Sequence, residues 1–434
     1  MKRWIVVFVM VCLVLVPTYS VRAHVHEALP IPEKKVMKFG KNTLQGLIDD
    51  TEAGGTLYLE DRVYRGTFMI TKPITIIGQQ GTALHSLETV LIISDTEDVT
   101  LKNVSIEGKQ AMFIEKASRV ILEDVHIEQV SGGIYVTESS DLTFERLRVT
   151  GEDGHFSEKQ HAVAVFKSKH FTANASDIRN VMDGFYLEST YGVTLTNSHV
   201  ENSRYAMHMM YSDHVRLHDN TLVNNMTGFM VMVAEDIMIE RNRVLENHSL
   251  NSLGVYAYDL RHVVFRDNEL AENMTAMDIQ QVKNMRVFNN IFTANGTALQ
   301  VERSPSLVVE HNEFAGNILT SRTDAEGFTL TSNVYDDYDG RDYDGDGIGD
   351  TTYAAANAFG QWMVRKPVYQ YFMGSPSVVV LDMMESAEQA TGVVDTSPRI
   401  ATTERHLQFD MKTGQLLISA SLIGALWIAR RKLG

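Results

Sequence analysis

Between residues 99 and 320 one phrase recurs at a nearly constant interval, and this repeat constrains the fold more than any other feature. It begins at Val193 ("VTLTNSHVENSRYAMHMMYSDH") and returns at Val215, Ile237, Val263, Met285 and Leu307. The spacings are 22, 22, 26, 22 and 22, with four residues inserted after Asn247. Upstream, Val120 to Leu142 is again 22, and Leu142 to Phe171 is 29, an insertion of seven near "GEDGHFSEKQ". A fixed period of this length marks stacked structural repeats. Each repeat holds short, alternating, β-rich runs broken by Asn, Asp or Gly, too short for a strand plus a helix. Asn220, Asn242, Asn268, Asn290 and Asn312 fall at one phase, and Asn225, Asn247, Asn273, Asn295 and Asn317 at a second. Coils stacked about 4.8 Å apart turn these into two amide ladders. The expected fold is all-β, a right-handed parallel β-helix with coils of about 22 residues. A leucine-rich horseshoe is excluded because its leucine and asparagine spacing is missing.

Register then separates inside from outside, since side chains alternate along a strand. Met207 and Met209 stack on Phe229 and Val231, then on Val255 and Ala257, and point inward. The outward set is Tyr186 and Glu188, His208 and Met210, Met230 and Met232, Tyr256 and Tyr258, Asp278 and Gln280, Gln300 and Glu302. This face is soft and aromatic. Positions two apart on a strand are about 6.6 Å apart and neighbouring strands about 4.8 Å, so His208, Met210 and Met232 can converge on one ion. Imidazole with thioether favours Cu(I) over hard cations. The plain alternative is an apolar docking patch for a partner, with Tyr186, Tyr256 and Tyr258 as its aromatic part; the two readings are compatible.

The ends complete the plan. Residues 1–23 have a basic start, an apolar stretch and a small-residue exit, and are expected to be a cleavable export signal. Cys12 lies inside it, so the mature chain offers no thiol. Cleavage there exposes His24-Val25-His26, expected to be a disordered arm, with chelation of Cu(II) by the free amine and the third-position histidine as the alternative. Residues 24–98 are expected to hold that arm, a short helical cap at 42–50 and the first coils, and 99–320 the β-helix core. In 321–375 the run "YDDYDGRDYDGDGIGDTTY" places Asp342, Asp344, Asp346 and Asp350 where a calcium loop has ligands, although Tyr353 stands where an EF-hand has its bidentate Glu. Structural Ca2+ and a metal-free Asp/Gly turn network both fit, and either clamps the C-terminal end. Residues 376–410 are expected to be a partner-docking tail, including an amphipathic 377–389, and a spacer. In 411–434 the apolar run Leu416 to Ala429 precedes Arg430, Arg431 and Lys432, which predicts a C-terminal transmembrane anchor with a cytoplasmic basic end. The formal net charge of −16 repels phosphate backbones, so no nucleic-acid partner is expected.

The stretch "RYAMHMMYSD" followed by "GFMVM", together with "YDGRDYDGDGIGDTTY" and "SPSVVVLDMMESA", resembles the NosD family, extracytoplasmic maturation factors for nitrous oxide reductase, from about Asn42 to Ile400. In that family's pattern the histidine and methionines fall on His208, Met210 and Met232. Met230 departs from the usual residue and stands apart from these three, and Tyr335 replaces the usual tryptophan. The resemblance implies a right-handed β-helix working with an ABC transporter permease and its ATPase. It further implies receipt of copper from a chaperone lipoprotein, and service to the copper-sulfide centre of nitrous oxide reductase. On this reading the chain is extracytoplasmic, membrane-anchored and not an enzyme.

The rival from another class is a polysaccharide lyase or hydrolase, because fold alone does not fix function. Hydrolysis needs two carboxylates about 5 to 9.5 Å apart. On the outward face only Asp278 and Glu302 offer acids, read as two rungs apart, with no Arg or Lys in the rows compared. A cell-surface adhesin is a third reading, one that leaves the His and Met cluster without a purpose.

Overall fold

The computed structural model describes residues 43–130, 132–323, 328–355, 366–372, 375–377 and 393–400. These form an all-β, right-handed parallel β-solenoid of about 12 turns with one helix. The helix, Leu44–Asp50, is N-capped by the Thr43 side chain, which accepts from Gly46 N. Its Leu44 and Ile48 cover the apolar interior of the first coils, and Gln45 ties it to the strand Phe68–Ile70 by donating to Met69 O and accepting from Met69 N. A solenoid that starts without such a cover leaves strand edges and core open to water.

A single coil runs through three strands, for example Tyr191–Thr196, His199–Glu201 and Tyr205–Met210, each pairing in parallel with its successor in the next coil. Val193 lies opposite Val215 and Met207 opposite Phe229, the register that the 22-residue period requires. Both insertions are absorbed between strands: Phe229 opposes Val255 across the four extra residues, and Phe171 opposes Leu142 across the seven. Met207, Met209, Phe229 and Met277 are fully buried inside.

Asparagine does two jobs at the corners. Asp219 and Asn224 take up left-handed backbone (φ 59° and 53°), tolerated by short polar side chains. The following residues, Asn220 and Asn225, turn their amides inward. Along the first ladder Asn220 N donates to Asn242 Oδ1 (3.0 Å), Asn242 N to Asn268 Oδ1 (2.9 Å), Asn268 N to Asn290 Oδ1 (2.8 Å) and Asn290 N to Asn312 Oδ1 (2.9 Å). The second runs from Asn225 through Asn247, Asn273 and Asn295 to Asn317. Amides of both ladders also donate to strand carbonyls, as Asn268 does to Ile239, so turn groups hidden from water stay paired. Toward the N-terminus serines take over the first ladder: Ser176 N donates to Ser198 Oγ, and Ser198 N to Asn220 Oδ1.

The C-terminal end departs from expectation. The first ladder continues through Asn333 and finishes on Asp395, whose Oδ2 accepts from Asn333 N (3.1 Å), Asn333 Nδ2 (3.0 Å) and the Tyr335 hydroxyl (3.0 Å). Leu330 pairs with Asp395 in parallel. Residues 393–400 therefore close the solenoid, whereas the sequence reading gave 376–410 to a docking tail and spacer. An aspartate satisfies the last rung because its carboxylate accepts from three donors and needs no further coil above it. Inside, Phe292, Phe314, Tyr335 and Tyr353 form one stack with centroids 4.9, 5.3 and 3.7 Å apart, Tyr335 filling the expected tryptophan position. The leader 1–23, the arm at 24–26, all of 377–389 but its first residue, and the anchor 411–434 lie outside the described residues. Among the described residues no helix is long and apolar enough to cross a membrane.

Candidate metal-handling face

The outward side chains of one strand per coil form two columns. The first runs Phe113, Tyr135, Ala164, Tyr186, His208, Met230, Tyr256, Asp278, Gln300, Arg322; the second includes Phe166, Glu188, Met210, Met232, Tyr258, Gln280 and Glu302. The N-terminal part is an aromatic cluster that covers itself. Tyr135 stacks on Phe166 (4.9 Å), and Phe166 leans on Tyr186 (5.5 Å). Tyr186 is only 2% exposed, and its hydroxyl donates to Glu188 (2.6 Å). It points outward as expected but is not available as a partner-face residue, because Phe166, His161 and His208 pack around it. Tyr256 and Tyr258 remain half-buried, stacked at 6.2 Å.

His208 is likewise outward but only 7% exposed, which corrects the expectation of an open histidine. Rings of Tyr186 and Tyr205 meet it edge-on at 4.7 and 5.0 Å. Its Nδ1 lies 3.1 Å from Oδ2 of Asp183, a fully buried carboxylate at the start of the preceding coil's strand. Arg204 donates to both oxygens of Asp183 (2.9 and 2.8 Å), and His161 Nδ1 stands 3.3 Å from Oδ2. Burial by itself raises the Asp183 pKa; the bonds from His161, His208 and Arg204 outweigh that and hold the carboxyl far below the usual range. An ionised Asp183 accepts the Nδ1 proton of His208, which leaves Nε2 with its lone pair as the ligand atom.

Register places Met230 beside His208 and Met232 beside Met210. The Met210 sulfur is 3.9 Å from the Tyr186 hydroxyl, and all three methionines are half-buried. The structure thus brings one oriented imidazole and three thioethers onto two adjacent strands. This donor set suits a soft monovalent ion; the carboxylate beside it, Glu188 next to Met210 in register, accepts from the Tyr186 hydroxyl.

Asp183, His161 and Arg204 were absent from the sequence reading, although a signal existed. Counting in register, His161, Asp183 and Tyr205 occupy one corner column that continues as Thr227, Leu253, Thr275 and Thr297. A histidine and an aspartate in a column of buried threonines are anomalous. The seven-residue insertion hid the alignment of His161, and residues of that insertion, Glu152, Lys159 and Gln160, line with His161 a cavity of about 90 Å³.

Farther along, Asp278 and Glu302 lie on adjacent coils, diagonal to one another, since Asp278 opposes Gln300 and Gln280 opposes Glu302. The two-rung separation read from the sequence is corrected accordingly. Arg322, one coil beyond the rows compared, is buried and bonds Gln300. Burial pushes Asp278 up to about 6 and Arg322 down to about 10.

The acidic loop closes on itself. Asp342 accepts from Gly345 N (2.6 Å) and Gly347 N (2.9 Å), and Asp346 accepts from Ile348 N (2.8 Å). Ligand oxygens of Asp342, Asp344 and Asp346 lie within 4.8 Å of one another. Asp350 instead accepts from Tyr343 N (2.6 Å), and the loop reaches the terminal segment through Gly349 N to Pro398 O (2.7 Å). The loop is placed as the expected clamp on the C-terminal end.

Fold and face together define a class: a β-solenoid scaffold that displays soft donors on the outside of one sheet. Residues 145–345 match the model of the family described as "Periplasmic copper-binding protein (NosD)". The match covers the stretch that carries the repeats and the His/Met strands, and it bears out the resemblance seen in the sequence. No curated protein matches by sequence. Among solved structures, the A-module of the Azotobacter vinelandii mannuronan C-5 epimerase AlgE6 is similar at TM-score 0.53 and 14% identity, over 67% of this chain and 93% of that one. A periplasmic alginate epimerase, AlgG, gives 0.52 and 10% over 68% and 82%. The catalytic unit of an α-1,3-glucanase from Streptomyces thermodiastaticus gives 0.50 and 14% over 68% and 66%. At such identities these likenesses carry the fold alone.

Proposed function

We propose that the protein is a non-enzymatic, extracytoplasmic scaffold that carries Cu(I) as cargo on His208, Met210 and Met232. On this reading it works beside an ABC transporter permease and its ATPase, takes copper from a chaperone lipoprotein, and serves assembly of the copper-sulfide centre of nitrous oxide reductase. The observation that carries the proposal is the Asp183–His208 contact, which fixes the imidazole so that Nε2 is the donor beside the thioethers. Two- or three-coordinate Cu(I) exchanges readily between soft ligand sets, so a half-buried patch both holds and releases it. Residues 411–434 anchor the scaffold to the membrane. Calcium bound by Asp342, Asp344 and Asp346 stiffens the C-terminal clamp; added Ca2+ is expected to raise the unfolding midpoint, and no rise, or the same rise in Asp344→Asn, would dismiss it.

The test of the copper reading is a Cu(I) titration of the purified protein against a competing chelator, beside the triple variant His208→Ala, Met210→Ala, Met232→Ala. One tight equivalent is expected in the parent and none in the variant at unchanged circular dichroism. Equal binding by both, or none by either, reassigns the face to partner docking. The second reading, a polysaccharide lyase or hydrolase, draws on the buried Asp278 near Glu302. Release of oligosaccharides from an acidic glycan, abolished by Asp278→Asn, would establish it in place of the scaffold.

A further inference from the structure

The strand that carries Met230 and Met232 runs on, bending through left-handed backbone at Val233 and Asp236, to a second cluster that the copper reading does not use. Glu235 and Asp236 stand there with His262 of the next coil, their ligand atoms all within 4.8 Å of one another. The His262 ring nitrogen Nδ1 is 3.0 Å from Glu235 Oε1 and 3.6 Å from Asp236 Oδ1. From the preceding coil His214 Nε2 reaches Asp236 Oδ2 at 3.5 Å. His214, Asp236 and His262 all adopt φ between 53° and 57° and form one corner column, so the backbone of the solenoid fixes their spacing.

We propose that His214, Glu235, Asp236 and His262 form a binding site for a divalent first-row cation, Zn2+ or Cu2+. Three lines of chemistry carry this. A tetrahedral Zn2+ with bonds of about 2.0–2.1 Å has ligands about 3.4 Å apart. The contacts of 3.0 and 3.6 Å within the Glu235, Asp236 and His262 group lie around that edge length, and His214, 3.5 Å from Asp236, stands beside the group as its fourth donor. Two imidazoles with two carboxylates neutralise a 2+ charge and include oxygen donors, which disfavours Cu(I). The four side chains are about half exposed, so the ion has direct access and the groups are ready to exchange water for metal. Arg261 lies opposite Glu235 in register, a cation on the paired strand beside the site. The site begins three residues beyond Met232, around the bend at Val233. The solenoid thus offers a borderline-to-hard station next to the soft one.

The deciding experiment is titration of the purified full chain with Co2+, read by visible absorption, followed by Zn2+ competition. The parent is expected to give the intense band of tetrahedral cobalt for one equivalent, displaced by one equivalent of Zn2+. The double variant His214→Ala, His262→Ala is expected to lose that band with its circular dichroism unchanged, and His208→Ala to keep it. Absence of the band in the parent overturns the proposal, as does its persistence in the double variant. Loss of the band in His208→Ala assigns the ion to the other face and also overturns it. Because Cu(I) binding is read separately, failure here leaves the copper proposal standing.

Discussion

At the scale of single residues, Asp183 and Asp278 show how burial acts in opposite directions on two carboxylates of one face. Asp183 has Arg204 and two imidazoles against it and stays ionised; at Asp278 burial outweighs the Gln280 hydrogen bond and the charge of Arg322, and the carboxyl is pushed up to about 6. Replacing Asp183 by Asn removes the acceptor charge under Arg204, at a cost of about 3–5 kcal/mol. It also frees the His208 ring, which is expected to weaken Cu(I) binding about 10- to 100-fold. Urea unfolding and chelator competition on the same variant check both, and unchanged copper affinity would remove Asp183 from the site. Because the Asp183 pKa is depressed, its stabilisation is complete at neutral pH and is withdrawn only as the pH falls below the ordinary carboxylate range. Asp278 has the opposite sign. Its contribution is complete below about 3.8, is lost as the pH rises to about 6, and leaves a burden on the order of 3 kcal/mol at neutral pH. Asp278→Asn is therefore expected to raise the urea midpoint at pH 7 and leave it nearly unchanged at pH 4. Equal effects at the two values would contradict the assignment.

At the scale of elements, the rungs matter more than the surface ion pairs. Asn268 accepts from Asn242 N and Nδ2 and donates to Ile239 O and Asn290 Oδ1, all out of water. Asn268→Ala orphans several of these groups and is expected to cost on the order of 3 kcal/mol. The Arg243–Glu269 pair on the same coils, 2.8 Å apart but about half exposed, is worth less than about 1 kcal/mol, so Arg243→Ala serves as the comparison. If the two variants unfold at the same urea concentration, the ladder does not have this weight. The outward strand uses the same geometry for another end: parallel register sets Met230 and Met232 one strand from His208 and Met210 without any loop. Donors mounted on a ladder have their spacing fixed by the backbone.

At the scale of the whole molecule, the two ends determine whether the stack survives. A solenoid opens from its termini, since each coil contacts only its neighbours. The helix Leu44–Asp50 guards one end and the segment 393–400 the other. Asp395→Ala leaves Asn333 and the Tyr335 hydroxyl without their acceptor. Faster amide exchange confined to the coil around 313–335 is expected, with the coils near His208 unaffected. Uniform exchange along the chain would show that the molecule opens as one unit instead.

The repeat period, the two asparagine phases and the alternation of side chains were legible in the sequence because they are local and periodic. They set the β-helix, its register and the outward direction of His208, Met210 and Met232; the helical cap was legible separately, in the stretch 42–50. The Asp loop was legible for the same reason, as a dense local pattern. Which outward residues are actually covered was decided only in three dimensions. Tyr186 is closed over by rings from the coils on either side, and His208 by Tyr186 and by Tyr205 of its own strand; alternation reports direction without reporting cover. The Asp183 cluster needed a corner column running across an insertion, and the last rung needed Asp395, 62 residues after Asn333. Such contacts depend on where insertions and the terminal segment are laid against the stack, and nothing in the 22-residue phase encodes that placement.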